Sequence, residues 1–143
     1  MKEAALKENI SPTYFETLTV AAFLICKEQG IEVLVAEAGL GGRFDATAVA
    51  KGTLTVLTSI GLEHTAILGD TEEKILLEKL GIMQQETHLV HFPLTEKLSL
   101  ALNKFKEEKH INIVSVLDVK LPKLQNLGRH YTENATLALS AAR

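Results

Sequence analysis

The segment VLVAEAGLGGRFDAT, residues 33–47, places an acidic side chain directly before a cluster of glycines. Glu37 follows an apolar run that is typical of a buried strand, and glycines stand at positions 39, 41 and 42. Because glycine has no side chain, such a cluster lets the backbone approach a ligand closely. Two kinds of site use this pattern: a loop that binds a phosphate or a dinucleotide, and a carboxylate that holds a metal ion beside a substrate.

The glycine cluster alone is not typical of a nucleotide-binding loop. Its nearest approach to G-x-G-x-x-G is GLGGRF, residues 39–44, and the last position is not glycine. A dinucleotide turn must also open into a crossover helix, for which the following FDATAVAKG is too short. The phosphate-loop signature G-x-x-x-x-G-K-[ST] does not occur in the 143 residues.

A second apolar run ends in a similar way. TLTVLTSI, residues 53–60, is followed by a glycine and then by His64. If residues 31–38 and 53–60 form parallel strands, Glu37 and His64 lie beyond their carboxyl ends, where α/β sheets bind ligands. A carboxylate and an imidazole suit a divalent metal, and the H-E-x-x-H pattern of zinc sites is missing. The alternative is that Glu37 is a solvated strand end and His64 a loop residue bonded to backbone.

Alternating helices and strands must position these residues. Ser11 and Pro12 predict the cap and first turn of an apolar helix that stops at Gly30. The further predicted elements are strands at 31–38 and 53–60, a helix at 72–80 between Thr71 and Gly81, a strand at 88–92, a helix at 95–109, a strand at 111–116, an irregular stretch at 117–130 and a helix at 132–143. The alternation predicts an α/β fold, a mostly parallel sheet with flanking helices.

Composition excludes several classes of protein. With 46% hydrophobic and 23% charged residues, the chain is long enough for one soluble domain with a core. A net charge of -3 without a basic cluster argues against a nucleic-acid partner. Cys26 is the single cysteine of the sequence, so we expect it in the core and not in a disulfide or a thiolate metal site. With no signal-peptide pattern and no membrane-length apolar run, we expect a cytoplasmic protein without a membrane partner.

Four blocks of sequence, taken together, closely resemble the folylpolyglutamate synthase/dihydrofolate synthase family, which belongs to the Mur-ligase-like ATP-dependent amide ligases. They are SPTYFE (11–16), AEAGLGGRFDAT (36–47), TSIGLEHTAILGDTEEKILLEKLGI (58–82) and GRHYTENATLAL (128–139). The resemblance is tight from Ser11 to Ile82 and looser from Met83 to Leu127. It implies that residues 1–143 form an incomplete Mur-ligase-type central ATPase domain, without the phosphate-loop segment and the C-terminal domain.

The resemblance also implies a reaction and a set of site residues. Members of the family bind ATP with magnesium, phosphorylate a carboxylate and let the nitrogen of an amino acid displace the phosphate. By position, Glu37 and His64 would each hold a metal ion, Lys79 would carry a carbamate, Phe44, Asp45 and Ala46 would contact the pteroate, and Asn134 would contact the adenine ring. From the residues alone, Lys79 is a helix residue whose amine reaches solvent, Asn134 a polar group near a helix start, and Asp45 a loop charge.

A carbamate on Lys79 requires a particular environment around the lysine amine. Carbon dioxide adds only to a free amine, which an apolar environment favours. The apolar residues around Lys79 in the sequence are Leu76, Leu77, Leu80 and Ile82. Glu63 stands before His64 where the family commonly has Asp. We expect Lys79 to lie near Glu37 and His64. Manganese is an alternative to magnesium at this site, because manganese accepts an imidazole ligand more readily.

Two functional classes remain open at this stage. The chain is either part of a ligase that joins L-glutamate to dihydropteroate or folate with ATP, or a catalytically inactive truncated domain that acts as a fold or binds a partner. Without a phosphate loop we expect no ATP turnover by this chain alone. A strand missing from the sheet would leave an exposed edge or face, which favours a homo-oligomer.

Overall fold

A computed structural model gives the architecture and describes residues 2–114, 116 and 128–143. In these residues the chain alternates between helices and strands, as the sequence predicts. The elements are α1 Lys2–Lys7, α2 Tyr14–Glu28, a 3-10 helix Ala46–Ala50, β1 Leu54–Leu57, α3 Thr65–Leu68, α4 Glu72–Leu80, β2 His88–His91, α5 Glu96–Lys109, β3 Asn112–Val114 and α6 Arg129–Ala141. No helix among them is both long enough and apolar enough to cross a bilayer.

The described strands form one parallel sheet in the order β1-β2-β3. Val56 of β1 lies opposite Val90 of β2, and Val90 lies opposite Val114 of β3. Parallel neighbours need a crossover connection, and here α3 with α4 and then α5 supply the two crossovers. The prediction of a mostly parallel α/β sheet with flanking helices is confirmed.

The core lies between this sheet and the pair α4 and α5. Leu76 and Leu80 are one helical turn apart on α4, and both are completely buried, as is Leu89 of β2. The other buried members of the cluster are Leu57, Met83, Leu98, Leu102, Phe105 and Ile111. The core therefore holds the last turn of α4, while the polar side chains of that turn, Glu78 and Lys79, are partly exposed.

The helix α2 begins two residues later than the sequence interpretation places it. Thr13 is its N-cap: the Thr13 side chain accepts a hydrogen bond from the Glu16 backbone N–H, and the Glu16 carboxylate accepts one from the Thr13 N–H at 2.6 Å. This reciprocal capping box satisfies two free donors at once. The assignment of the cap to Ser11 and of the first helical position to Pro12 is therefore wrong. The predicted end of the helix before Gly30 is confirmed.

The predicted strand at residues 31–38 is not formed, although this segment lies within the described part of the chain. Its apolar side chains face solvent: Val33 is 79% and Val35 is 91% exposed. A strand needs a neighbour for its backbone hydrogen bonds, and no described strand runs beside this segment. Cys26 of α2, expected in the core, is only partly buried.

The remaining predictions fare better. Thr71 and Thr95 cap α4 and α5, their hydroxyls accepting hydrogen bonds from the backbone N–H groups of Lys74 and Leu98. The strands predicted at 53–60, 88–92 and 111–116 are all present, each shorter than predicted. The last helix begins at Arg129 and not at residue 132. Of the predicted irregular stretch at 117–130, residues 117–127 lie outside the described residues.

Candidate functional site

The glycine loop, residues 39–42, lies against the C-terminal end of α4. The backbone N–H of Arg43 donates a hydrogen bond to the carbonyl oxygen of Glu78 at 3.0 Å. A side chain at Gly42 would overlap the carbonyl oxygen of Lys79, so only glycine permits this approach. The Arg43 Nε also lies 3.5 Å from the Glu78 Oε2. Backbone contact, hydrogen bond and ion pair together hold the loop on the helix end.

Asp45 connects the same loop to the 3-10 helix that follows. Its Oδ2 accepts hydrogen bonds from the backbone N–H groups of Gly39 at 2.9 Å and Leu40 at 3.0 Å. Its Oδ1 accepts from the Thr47 N–H at 2.9 Å and from the Thr47 Oγ1 at 2.5 Å. Burial raises the pKa of Asp45, but the hydrogen bonds from Thr47, Leu40 and Gly39 outweigh burial and hold the pKa below its ordinary 3.8. The carboxyl is therefore ionised at neutral pH.

Lys79 is brought to the loop that follows β1. Its Nζ lies 3.1 Å from the Oε1 of Glu63, the residue directly before His64. The Lys79 side chain is 22% exposed and the Glu63 side chain 56% exposed, so water reaches the pair mainly from the glutamate side. The last turn of α4 therefore meets both the glycine loop and the segment that carries His64.

The two predicted metal ligands, Glu37 and His64, are both exposed. Glu37 lies exposed in the unpaired segment 31–38. His64 is the N-cap residue of α3, with a left-handed backbone (φ 49°, ψ 37°), and its side chain is exposed. A carboxylate and an imidazole are donors that suit a divalent ion. Within residues 2–114, 116 and 128–143, however, no three His, Cys, Asp or Glu side chains gather into a metal-binding group.

The predicted pteroate strip opens into a groove of about 320 Å³. Phe44, Asp45 and Ala46 line one side, while Phe15 of α2 and Glu78 of α4 belong to the other residues that line it. Phe44 is 88% exposed and Phe15 is 43% exposed, so both rings present apolar surface. Aromatic faces stack on flat rings, and the Glu78 carboxylate accepts N–H donors. The groove can therefore receive a flat, nitrogen-rich ring.

Asn134 lies apart from this groove. It is exposed on α6, a helix that packs against β1 and β2. Asn134 is not among the residues that line the groove at Phe44. A larger groove of about 410 Å³ between α4 and α5 contains none of the predicted site residues in its lining.

Three residues of the groove and the loop are not found by the sequence interpretation: Phe15, Thr47 and Glu78. Thr47 leaves a sequence signal, because Asp45 followed two residues later by a threonine is a common turn and cap pattern. Phe15 and Glu78 leave none, since both are distant in the sequence from Phe44, the groove residue that the resemblance identifies. Only packing brings them beside Phe44.

Known proteins are similar to this sequence, one of them over nearly its whole length. The folylpolyglutamate synthase of Arabidopsis thaliana is 36% identical over 148 aligned residues, which cover 99% of this chain and 26% of that protein. The dihydrofolate synthase/folylpolyglutamate synthase of Bacillus subtilis is 42% identical over 100 residues, which cover 69% of this chain and 23% of that protein. No protein-family model matches the chain.

The fold agrees with these relationships. Escherichia coli FolC, solved in complex with DHPP and ADP, superposes with a TM-score of 0.75 at 32% identity, covering 94% of this chain and 36% of that one. The chain spans about a quarter of the length of the two related synthases. Over the part that it covers, the chain belongs to the folylpolyglutamate synthase/dihydrofolate synthase family.

Proposed function

We propose that this chain is part of an ATP-dependent ligase that joins L-glutamate to dihydropteroate or folate through an acyl phosphate. One observation carries the proposal most directly: the strip Phe44, Asp45 and Ala46 lines a groove against the end of α4. The similarity to the two synthases over most of the chain supports the same reaction class.

The aromatic and acidic side chains that line the groove could each bind a part of the pteroate. Phe44 and Phe15 offer ring faces on which a flat heteroaromatic ring stacks. Glu78 lies at the same groove and accepts hydrogen bonds from the amino and amide N–H groups of such a ring. An apolar cleft with few convergent polar groups is the usual form of a small-molecule site.

The nucleotide half of the site rests on three further residues. We assign ATP to it as co-substrate, with Asn134 at the adenine ring and Glu37 and His64 as ligands of magnesium or manganese. When bound, such an ion stabilises the negative charge of the transferred phosphoryl group. Magnesium is commonly held by only one or two carboxylates together with phosphate oxygens and water, so few protein ligands are needed.

Lys79 is proposed to carry a carbamate. In that reaction the neutral amine attacks carbon dioxide, an N–C bond forms and a proton is released, which leaves an anion with two oxygens. The ammonium that pairs with Glu63 must first lose a proton, because it has no free electron pair with which to attack. The position of Lys79 beside the loop of His64 supports a role near the proposed metal.

The alternative function is a catalytically inactive domain that acts as a fold or binds a partner. In either case we expect no ATP turnover by this chain by itself, since it contains no G-x-x-x-x-G-K-[ST] signature to hold the phosphates. We also propose a cytoplasmic location. Phosphate release that persists through purification and is lost in a His64→Ala variant would contradict the expected inactivity.

Ligand binding distinguishes the two functions. Saturation-transfer NMR and equilibrium dialysis would measure the binding of folate and dihydropteroate to the chain. We expect Phe44→Ala to weaken binding by roughly tenfold, since an aromatic stacking contact contributes up to about 1.5 kcal/mol. Val49→Ala is the matched control, because Val49 is an exposed apolar residue that does not line the groove. Absence of binding by the unmodified chain would favour the inactive alternative, and equal binding by Phe44→Ala would show that the groove at Phe44 does not hold the ligand.

A further inference from the structure

We propose that Asp45 is a positioning residue: its carboxylate fixes the glycine loop, residues 39–42, on the end of α4 and does not itself bind the substrate. The inference deepens the proposed function and rests on it for the ligand, because the loop and the neighbouring Phe44 form part of the pteroate groove. It changes the role that the sequence resemblance implies for Asp45, from a substrate contact to a support of that contact.

The hydrogen bonds of Asp45 leave no room for a ligand. An ionised carboxylate has about four acceptor positions. The N–H groups of Gly39 and Leu40 occupy two of them at Oδ2, and the N–H and hydroxyl of Thr47 occupy two at Oδ1. The residue is 9% exposed. A pterin N–H could reach this carboxylate only by displacing a donor of the protein itself.

The loop that Asp45 holds is fixed on its other side by α4. Gly42 contacts the carbonyl oxygen of Lys79, and the Arg43 N–H donates to the carbonyl of Glu78. The loop is therefore clamped between a carboxylate and a helix end. Release of the carboxylate frees Leu40, which lines the groove, and loosens the chain that leads to Phe44.

Variants of Thr47 can distinguish support of the loop by Asp45 from direct contact between Asp45 and the ligand. Thr47 donates a hydrogen bond to the Asp45 carboxylate but does not line the groove. Thr47→Val keeps the shape of the side chain and removes the hydroxyl donor, whereas Thr47→Ser keeps the donor. Asp45→Asn replaces one acceptor oxygen by an NH₂ group that faces N–H donors, so at least one side of the clamp must open.

Amide hydrogen exchange followed by NMR tests the clamp directly. In Asp45→Asn we expect exchange at Gly39, Leu40 and Thr47 to accelerate at least tenfold. Exchange at His88, whose N–H donates to the Thr53 carbonyl in the sheet, should stay as in the unmodified chain. Thr47→Val should accelerate the same loop amides to a smaller extent, and Thr47→Ser should restore them. Asp70→Asn is the control for loss of a carboxylate.

Folate binding measured on the same variants separates positioning from direct contact. We expect Asp45→Asn and Thr47→Val both to weaken binding, and the double variant to bind no more weakly than Asp45→Asn. Unchanged loop exchange in Asp45→Asn, or unchanged binding in Thr47→Val with a large loss in Asp45→Asn, would overturn the inference. If the unmodified chain does not bind folate, the proposed function fails, while the exchange data still decide whether Asp45 is the clamp.

Discussion

The Nζ of Lys79 lies 3.1 Å from the Oε1 of Glu63, and this ion pair joins the last turn of α4 to the loop after β1. Opposite charges attract here, but a carbamate on the same nitrogen would be an anion facing the Glu63 carboxylate. The pair therefore opposes the modification that the family resemblance implies for Lys79. The resemblance also marks Glu63 as unusual, because Asp commonly stands at this position.

We expect Glu63→Gln to increase the carbamylated fraction of Lys79 roughly twofold, a modest effect because exposed ion pairs contribute less than about 1 kcal/mol. The carbonyl carbon of the carbamate would be measured by NMR after equilibration with ¹³C-bicarbonate. Asp70→Asn, which removes a similar exposed partner of Lys74, is the matched control. Lys79→Arg provides the blank. Equal signals from Glu63→Gln and Asp70→Asn would show that Glu63 has no influence.

Manganese titration tests the proposed metal ligands. We expect weak binding by the unmodified chain, weaker binding after Glu37→Ala or His64→Ala, and a preference for manganese over magnesium because imidazole suits manganese better. Water-proton relaxation reports bound manganese. Glu32→Ala and His88→Ala are suitable controls, since both side chains are exposed. The assignment fails if all four variants bind like the unmodified chain.

The stability of the chain should depend on pH through Asp45. Its folded-state pKa is lowered, so its carboxylate stabilises the fold above the unfolded-state pKa of about 4, and this contribution disappears as the pH falls through the folded-state value. Asp45→Asn should lower the unfolding free energy by about 2 kcal/mol at neutral pH and by much less in acid. Urea denaturation at a series of pH values measures both. A difference that stays constant down to about pH 3 would contradict the assignment.

Self-association should follow from the apolar surface of residues 31–38. Val35 is 91% and Val33 is 79% exposed, and exposed apolar edges promote association. We expect a homo-oligomer whose mass falls when Val35 is replaced by Lys. Val49→Lys, at a residue that is 67% exposed on the 3-10 helix, is the control. Light scattering over a concentration series that finds only monomer in the unmodified chain would refute this.

The elements that the sequence predicts correctly are those with local signals. For α4 and α5, a threonine cap and regular apolar spacing lie within the helix itself, so no distant residue is needed. The sequence also contains a local signal for the correct cap of α2. Thr13 and Glu16 have the spacing of a capping box, whereas Ser11 has no acid three residues later. The strand predicted at residues 31–38 is wrong for the opposite reason: a strand forms only beside a partner strand, which the local sequence does not reveal.

The candidate site is predicted only in part for the same reason. The sequence and its resemblance identify Lys79 and the strip that begins at Phe44. They do not reveal that Lys79 pairs with Glu63 or that Arg43 pairs with Glu78, because these contacts join segments that are distant along the chain. The hydrogen-bond donors to the Asp45 carboxylate, in contrast, lie within six residues of it in the sequence, so these contacts depend on local structure.

The seat of the glycine loop on α4 has a consequence for the order of folding. The sheet and the helices α4 and α5 all come from residues 54–114, and they enclose the buried apolar cluster. Gly42 and Arg43 contact the carbonyls of a helix end that must already exist, and no residue from 39 to 45 belongs to the buried apolar cluster. We therefore expect the groove to assemble after the sheet and to open first in partial unfolding, as a less stable unit on a stable platform.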